Sequence, residues 1–188
     1  PTTPPVLSSA ASDVYKSQNL DALSRTLSAL SGQHADVLVV DNGSTNNAEL
    51  NASLAASTHS TCLNLGANLG IGAAHNAGIR QARTAGYEYV LLMDQDSIPL
   101  DNMVQTLVDA HRAKSAHQKL SAVGVTYLNA DNGSESFFVR FGWLKFQRHY
   151  CAERDDDGCV AADFLISSGS LIALSTLDAV GDMDEELF

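Results

Sequence analysis

Two apolar runs in this chain each end abruptly in a polar cluster that carries carboxylates. Val37-Leu38-Val39-Val40 runs into Asp41-Asn42-Gly43-Ser44-Thr45, and Tyr89-Val90-Leu91-Leu92-Met93 runs into Asp94-Gln95-Asp96-Ser97. A short continuous apolar run is the pattern of a strand covered on both faces, as in a parallel sheet between two helical layers. In open sheets of that kind, ligands bind at the carboxyl ends of the strands. Both polar clusters therefore open onto one crevice.

The segments between these runs read as helices. Leu20, Leu23, Leu27 and Leu30 recur at helical spacing, with Gly32 as a stop. A helix is expected over 47–57, a short strand over 62–65, and a small-residue helix over 73–85 closed by Gly86. Residues 100–117 have helical period, 121–127 read as a strand, and 6–11 as a weak first strand. Strands alternating with helices of this length predict βαβ units and a mostly parallel sheet, hence an α/β three-layer α/β/α sandwich. Farther along, Asp131-Asn132-Gly133-Ser134 is a turn signal suited to a hairpin, and 137–150 is rich in aromatic and basic residues. Asp155-Asp156-Asp157-Gly158 reads as a solvated loop whose carboxylates have no evident partner. Residues 164–172 look like a strand interrupted by small residues, and 174–180 like a short helix.

The chain of 188 residues suits one domain with a real core, and its 45% hydrophobic and 18% charged residues are ordinary for a globular protein. The net charge of −11 argues against a general nucleic-acid binder, which needs a basic face. Cys62, Cys151 and Cys159 are too few for a disulfide framework and fit a reducing compartment, so a cytoplasmic setting is expected. His149, Cys151 and Cys159 lack the CxxC pairing of a zinc site, and ordinary loop or core roles are expected of them. No signal peptide and no apolar run near the ~20 residues of a membrane span is visible, so any membrane association would be peripheral.

Asp94 and Asp96 lie one residue apart at a strand end, so they can share a face. Held together they repel, unless a cation sits between them or water screens them. Oxygen-only ligands suit Mg²⁺ or Mn²⁺, which take one or two carboxylates plus substrate phosphates. Asp41 reads either as a good turn residue or as an acceptor for a nucleobase imide. In Leu69-Gly70-Ile71-Gly72-Ala73-Ala74-His75, a dinucleotide fingerprint would need Gly or Ala where His75 stands. Gly70 and Gly72 instead open a helix whose N-terminal amides could face a diphosphate. His75 reads as a helix residue near the crevice.

Taken together these stretches resemble the family 2 glycosyltransferases of GT-A fold, and most closely the bacterial rhamnosyltransferases that use a dTDP-sugar. The likeness is carried by 39–44, by 68–79, by Leu91-Leu92-Met93-Asp94-Gln95-Asp96-Ser97, by 164–170 and by 180–188, in that order. The resemblance implies a metal-dependent inverting transfer of a sugar, rhamnose being expected, from a dTDP- or UDP-sugar to a glycan or lipid-linked acceptor. Such a reaction belongs to polysaccharide biosynthesis at the cell envelope, at the cytoplasmic face of the membrane. Asp41, Asn42, Gly43, Ser44, Asn68, Gly72, Asn76 and Asp94 would bind the nucleotide-sugar, and Asp94 and Asp96 the Mn²⁺ or Mg²⁺. Residues 6–130 would form the donor-binding part, and 131–188 an incomplete acceptor-side part. Two departures stand out. Only Val14-Tyr15-Lys16 lies near the place of the family's Thr-Tyr-Asn-like triplet. The acidic base motif is expected beyond Phe188, which leaves Asp184 and Glu185 as poor substitutes in a segment expected to fray. A nucleotidyltransferase making a nucleotide-sugar, and a sugar-nucleotide-binding module without turnover, are the competing readings. The first lacks the Gly-rich, Lys/Arg-bearing phosphate loop it would need.

Overall fold

The computed structural model describes residues 6–10, 20–54, 60–129, 132–143 and 145–186. Tyr15 and its neighbours, Asp131, Leu187 and Phe188 lie outside the described residues. Strands β1 (Val6–Ala10), β2 (Val37–Asp41), β3 (Ser60–Asn64) and β4 (Tyr89–Asp94) alternate with helices α1 (Leu20–Leu30), α2 (Asn47–Leu54) and α3 (Ile71–Thr84). Helix α4 (Met103–Ser115) and strand β5 (Ala122–Gly124) follow. Then come an antiparallel ribbon of β6 (Phe138–Phe141) and β7 (Phe146–His149), strand β8 (Ser170–Ala173) and helix α5 (Leu174–Val180).

The main sheet has the order β3-β2-β1-β4-β8-β5. Strands β1, β2, β3 and β4 pair in parallel, and β8 runs antiparallel between β4 and β5. The chain winds outward from β1 through β2 to β3, then crosses back so that β4 lies on the other side of β1. That reversal is the switch point at which α/β sheets open a crevice.

Side-chain alternation along β2 and β4 builds two cores. Val37, Val39, Tyr89, Leu91 and Met93 face one way and pack with Leu23 and Leu30 of α1, Leu50 and Leu54 of α2, and Val104, Leu107 and Val108 of α4. Leu38, Val40, Val90 and Leu92 face the other way, onto Ala74, Ile79 and Ala82 of α3 and Leu174 and Leu177 of α5. The apolar runs are therefore continuous because both faces are covered, and a fully buried Leu or Val contributes about 1.5–3 kcal/mol on either side.

Several elements differ from their expected limits. Helix α4 begins at Met103 rather than at 100, because Asn102 sits in the left-handed region at φ 61, which a helix interior does not tolerate. Helix α3 begins earlier than expected, after Gly70 at φ 87. The expected strand over 121–127 is paired only over 122–124, and beyond it the Tyr127 amide donates to Ser136 Oγ. The expected strand over 164–172 narrows to β8. Gly169 turns there at φ 80, with Val125 so close that a side chain would collide with it, and Phe164 forms only an isolated bridge to Val139. The expected turn at Asn132-Gly133 is present, with Gly133 at φ 68 and its amide donating to Asn129 O. The acidic loop does have a partner. Lys114 Nζ donates to Asp155 Oδ2 at 2.7 Å and to Asp157 Oδ2 at 2.5 Å, and these carboxylates push the lysine pKa up beyond its usual value.

His111 of α4 is 5% exposed, and among the described residues neither ring nitrogen has a hydrogen-bond partner. Its ring meets Tyr89 edge-on, with centroids 5.0 Å apart at 77°. Burial, and then the charge of Arg112, lowers its pKa, and burial lowers that of His75. The folded state thus disfavours the imidazolium. The stability that neutral His111 confers is complete above the unfolded value of about 6.5 and is lost as pH falls below it. The denaturant midpoint should therefore drop between pH 7.5 and pH 5, and should drop less in His111→Phe, which keeps the ring contact without a titrating group. Equal drops in the two proteins would refute this assignment.

Candidate active site

The site is the carboxyl edge of the sheet around β1. Register pairs Ala10 with Asp41 on one side and Ser9 with Asp94 on the other. Two strand spacings thus separate Asp41 from Asp94, roughly 10 Å across the edge.

Asp41 is completely buried, and its Oδ1 accepts from the Ser44 amide at 2.9 Å, which closes the turn after β2. Gly43 follows at φ 87, and any side chain there would lie 2.6 Å from the backbone of Ala67 and Asn68. The two loops touch at that point, and Asn42 stitches them together. Its Nδ2 donates to Asn68 Oδ1 at 2.9 Å and to Gly70 O at 3.1 Å, while its Oδ1 accepts from the Leu69 amide at 2.8 Å. Asn68 Oδ1 also accepts from the Gly70 amide at 3.0 Å. Asn42, Gly43 and Asn68 therefore build the edge by joining the β2 loop to the entrance of α3.

The loop after β4 is held from beneath. The hydroxyl of Thr26, buried in α1, is shared between Gln95 O at 2.8 Å and Ser97 O at 3.0 Å. Ser168 Oγ accepts from the Asp94 amide at 3.1 Å and donates to Ser97 Oγ at 2.9 Å. The Thr26 and Ser168 hydroxyls were not singled out as site residues from sequence. A threonine inside the apolar stripe of α1 was the available signal.

Asp94 is half-buried and Asp96 is exposed. Burial first, and the charge of Asp96 second, hold the Asp94 carboxyl above the ordinary aspartate range. Among the described residues no ion pair reaches either carboxylate, and no cluster of three or more metal-ligating side chains forms. Gln95 Oε1, which lies between them in sequence, is buried without a hydrogen-bond partner among the described residues. Two carboxylates with no ion pair among the described residues are a donor set that a divalent cation fits, with its remaining positions left to substrate oxygens and water.

The acidic segment near the end of the described chain is docked on α3 rather than frayed. Asn76, 3% exposed, donates from Nδ2 to Met183 O and to Glu185 Oε1, both at 2.8 Å, and accepts at Oδ1 from the Met183 amide at 2.8 Å. Gly72 makes room for this contact, since a side chain there would lie 2.5 Å from Asp184 O. Arg80 approaches Glu185 at 3.9 Å, and Arg83 holds Asp182 and Asp178. Gly72 and Asn76 are thus committed to the 182–186 segment, and Asp184 and Glu185 sit beside the N-terminal turns of α3. Cys151 Sγ lies 3.2 Å from Thr126 Oγ1, His149 pairs with Glu153, and Cys159 Sγ faces Asp157 O, so these three residues turn to separate partners.

Removing the Asn76 side chain, or adding a methyl at Gly72, should release this segment. In Asn76→Ala, hydrogen exchange at the Met183 amide should speed up and stability should fall by about 1–3 kcal/mol. Gly72→Ala should speed the same amide, while the amides of β2 and β4 keep their protection. Unchanged exchange at Met183 in both variants would show that the contact does not hold the segment.

Residues 13–168 match the model of the family described as glycosyl transferase family 2. The dTDP-rhamnosyl transferase RfbF of Shigella flexneri is 30% identical over an alignment 182 residues long that covers 91% of this chain and 54% of that protein. The crystal structure of S. aureus TarS superposes with a TM-score of 0.60 at 19% identity, over 97% of this chain and 50% of that one, so the likeness is one of fold. The chain spans about half the length of these relatives. The strand order, the carboxylate-bearing edge and the extent of the family match agree, and the chain belongs to glycosyl transferase family 2, with a GT-A-like α/β architecture.

Proposed function

We propose that this chain binds a nucleoside-diphosphate-sugar across the β2–β1–β4 edge and serves sugar transfer with inversion at the anomeric carbon. The observation that carries the reading is the pair of carboxylate-bearing strand ends flanking β1, with Asp41 on one side and Asp94 and Asp96 on the other. Their separation matches the span from a nucleobase to its diphosphate. Asp41 would take the base end; its Oδ1 accepts from the Ser44 amide and the residue is buried, so a base reaches it only if the groups that cover it move. A pyrimidine imide offers an N–H to such an acceptor, which favours dTDP or UDP. The similarity to a dTDP-rhamnosyl transferase supports dTDP-rhamnose as the donor.

Asp94 and Asp96 would hold Mn²⁺ or Mg²⁺, which when bound neutralises charge on the leaving diphosphate. Thr26 and Ser168 keep the loop that carries both carboxylates in one shape, so that substrate binding need not reorganise it. Asp184 and Glu185 form the wall beside α3. Each already accepts a hydrogen bond, Asp184 from the Glu186 amide and Glu185 from Asn76, which suits shaping the acceptor side more than abstracting a proton. A glycan or lipid-linked hydroxyl is the proposed acceptor, and the free cysteines fit a reducing, cytoplasmic setting. The same commitment of Asp184 and Glu185 gives weight to the second reading, a donor-binding module without turnover. Donor binding measured beside transfer separates the two.

Calorimetry tests the metal. Mn²⁺ should tighten dTDP binding to the parent protein, and Asp96→Ala should lose that gain. Changing a residue that merely hydrogen-bonds to a metal ligand costs about 10–100-fold in metal affinity, so losing a direct ligand should cost at least as much. Equal affinities with metal present would sink the assignment.

For the base end, dTDP and UDP should bind better than ADP and GDP. Asp41→Asn keeps an acceptor for Ser44 but replaces a carboxylate oxygen with a donor, so the preference should shrink by about 1–3 kcal/mol. A parent that binds all four nucleotides alike would refute base reading by Asp41.

A further inference from the structure

Residues 137–150 hold six of the chain's twelve aromatic residues and three of its eleven Lys and Arg, but none of its 22 Asp and Glu. In a chain of net charge −11, that is a sharp local reversal. The stretch carries the β6–β7 ribbon, which among the described residues pairs only with itself, apart from the isolated bridge of Val139 to Phe164. Its aromatic side chains are not core. Phe141, Phe146 and Tyr150 are exposed, and Trp143 between the strands is 99% exposed. Phe141 and Phe146 are cross-strand partners and so lie side by side on one face. On that same face the Arg148 guanidinium stands 4.6 Å from the centroid of the Phe137 ring and 5.8 Å from that of Phe146.

We propose that this ribbon is a membrane-docking element, which seats Trp143, Phe141 and Phe146 in the interface of an anionic bilayer while Arg140, Lys145 and Arg148 meet the lipid phosphates. Exposed aromatics interleaved with Lys and Arg are the composition of interfacial anchors, because the rings favour the headgroup boundary and the cations favour anionic lipid. Two neighbouring carboxylates are engaged locally. Asp163 accepts from the Phe141 amide, and Glu153 accepts from the Tyr150 amide and pairs with His149. Charges elsewhere on the chain act weakly beyond about 8 Å at physiological salt. A second copy of the chain fits the ribbon poorly, since docking like on like would bring three cations against three. The inference goes beyond sugar transfer and stands or falls without it, although a surface-bound protein would be well placed for a lipid-linked acceptor.

Trp143 is the only tryptophan in the sequence, so its fluorescence reports on the ribbon alone. The full chain is titrated with vesicles of phosphatidylcholine, and with vesicles of mixed phosphatidylglycerol and phosphatidylcholine. The emission should be that of a water-exposed indole in buffer and should shift to the blue on the anionic vesicles, with the shift weakening as salt rises. Arg140→Gln and Lys145→Gln should each lower partitioning by roughly fivefold, about 1 kcal/mol per basic residue. In co-sedimentation, Trp143→Ser should lose most of the bound fraction, with far-UV circular dichroism and the denaturant midpoint unchanged because the ring packs on no core. No blue shift with any vesicle would overturn the proposal, as would an equal shift on neutral and anionic vesicles. A concentration-dependent shift without lipid would replace it with self-association. A shift with soluble oligosaccharide but not with vesicles would replace it with a sugar-stacking platform. Should a variant fail to fold, the salt dependence of the parent protein still decides the matter.

Discussion

A strand covered on both faces leaves its polar groups only one place to go, which is its ends. Strands β2 and β4 obey that constraint, and the rest of the site follows from it. Their apolar runs are spent on two cores, one with α1, α2 and α4 and the other with α3 and α5. Because both pair in parallel with β1, their polar ends must emerge at the same edge. The two cores fix where Asp41 and Asp94 stand. They do not fix how the loops beyond are shaped. That task falls to a few side-chain hydrogen bonds, from Asn42, Thr26 and Ser168, each contributing about 0.5–1.5 kcal/mol net. Such bonds are too weak to drive folding, yet sufficient to select one loop conformation once folding has brought the partners together.

That division explains what could be read from the sequence. The runs into Asp41 and Asp94 announce buried parallel strands, and leucines at helical spacing mark α1 over its full length. Both signals are local and periodic. The insertion of β8 between β4 and β5 is neither, since strand order is a property of the assembled sheet. It also means that a strand from beyond residue 130 completes the sheet that carries the Asp41 and Asp94 edge. The partner of Asp155 and Asp157 was hidden for the same reason, because Lys114 lies some forty residues upstream on another element. The 121–127 stretch has strand composition throughout but is paired over only three residues. Pairing depends on a neighbouring strand, and β8 offers β5 partners only from Ser170 to Ile172.

Helix α3 shows how one residue pattern admits two physical explanations. Glycines at the start of a helix suit a phosphate cradle, and they equally suit close approach of another backbone. At Gly72 the second explanation is the one with coordinates, because Asp184 O occupies the space of the missing side chain. Asn76, one turn on, supplies both a donor and an acceptor to the same segment. Small residues along α3 therefore serve two contacts at once. Ala74 and Ala82 press on the sheet, while Gly72 and Asn76 receive the acidic strip. The N-terminal amides of α3 remain a source of positive potential at the crevice, and the acidic strip is seated beside them.

The distribution of cations bears on how a diphosphate could rest at this edge. No Lys or Arg occurs between Arg25 and Arg80, or between Arg83 and Arg112, and the loops after β2 and β4 and before α3 all lie within those two gaps. Arg80, Arg83, Arg112 and Lys114 form ion pairs with carboxylates of their own, and Arg140, Lys145 and Arg148 are on the ribbon. Lys16 lies outside the described residues. Against Asp41, Asp94 and Asp96, the positive end of α3 supplies the equivalent of about half a charge. Two phosphates brought to that edge would add like charge to a place where Asp94 is already held above its ordinary pKa by burial and by Asp96. None of the ion pairs among the described residues involves Asp94 or Asp96, so a diphosphate bound there, as proposed, would need its charge compensated. The cation proposed at Asp94 and Asp96 would supply that compensation.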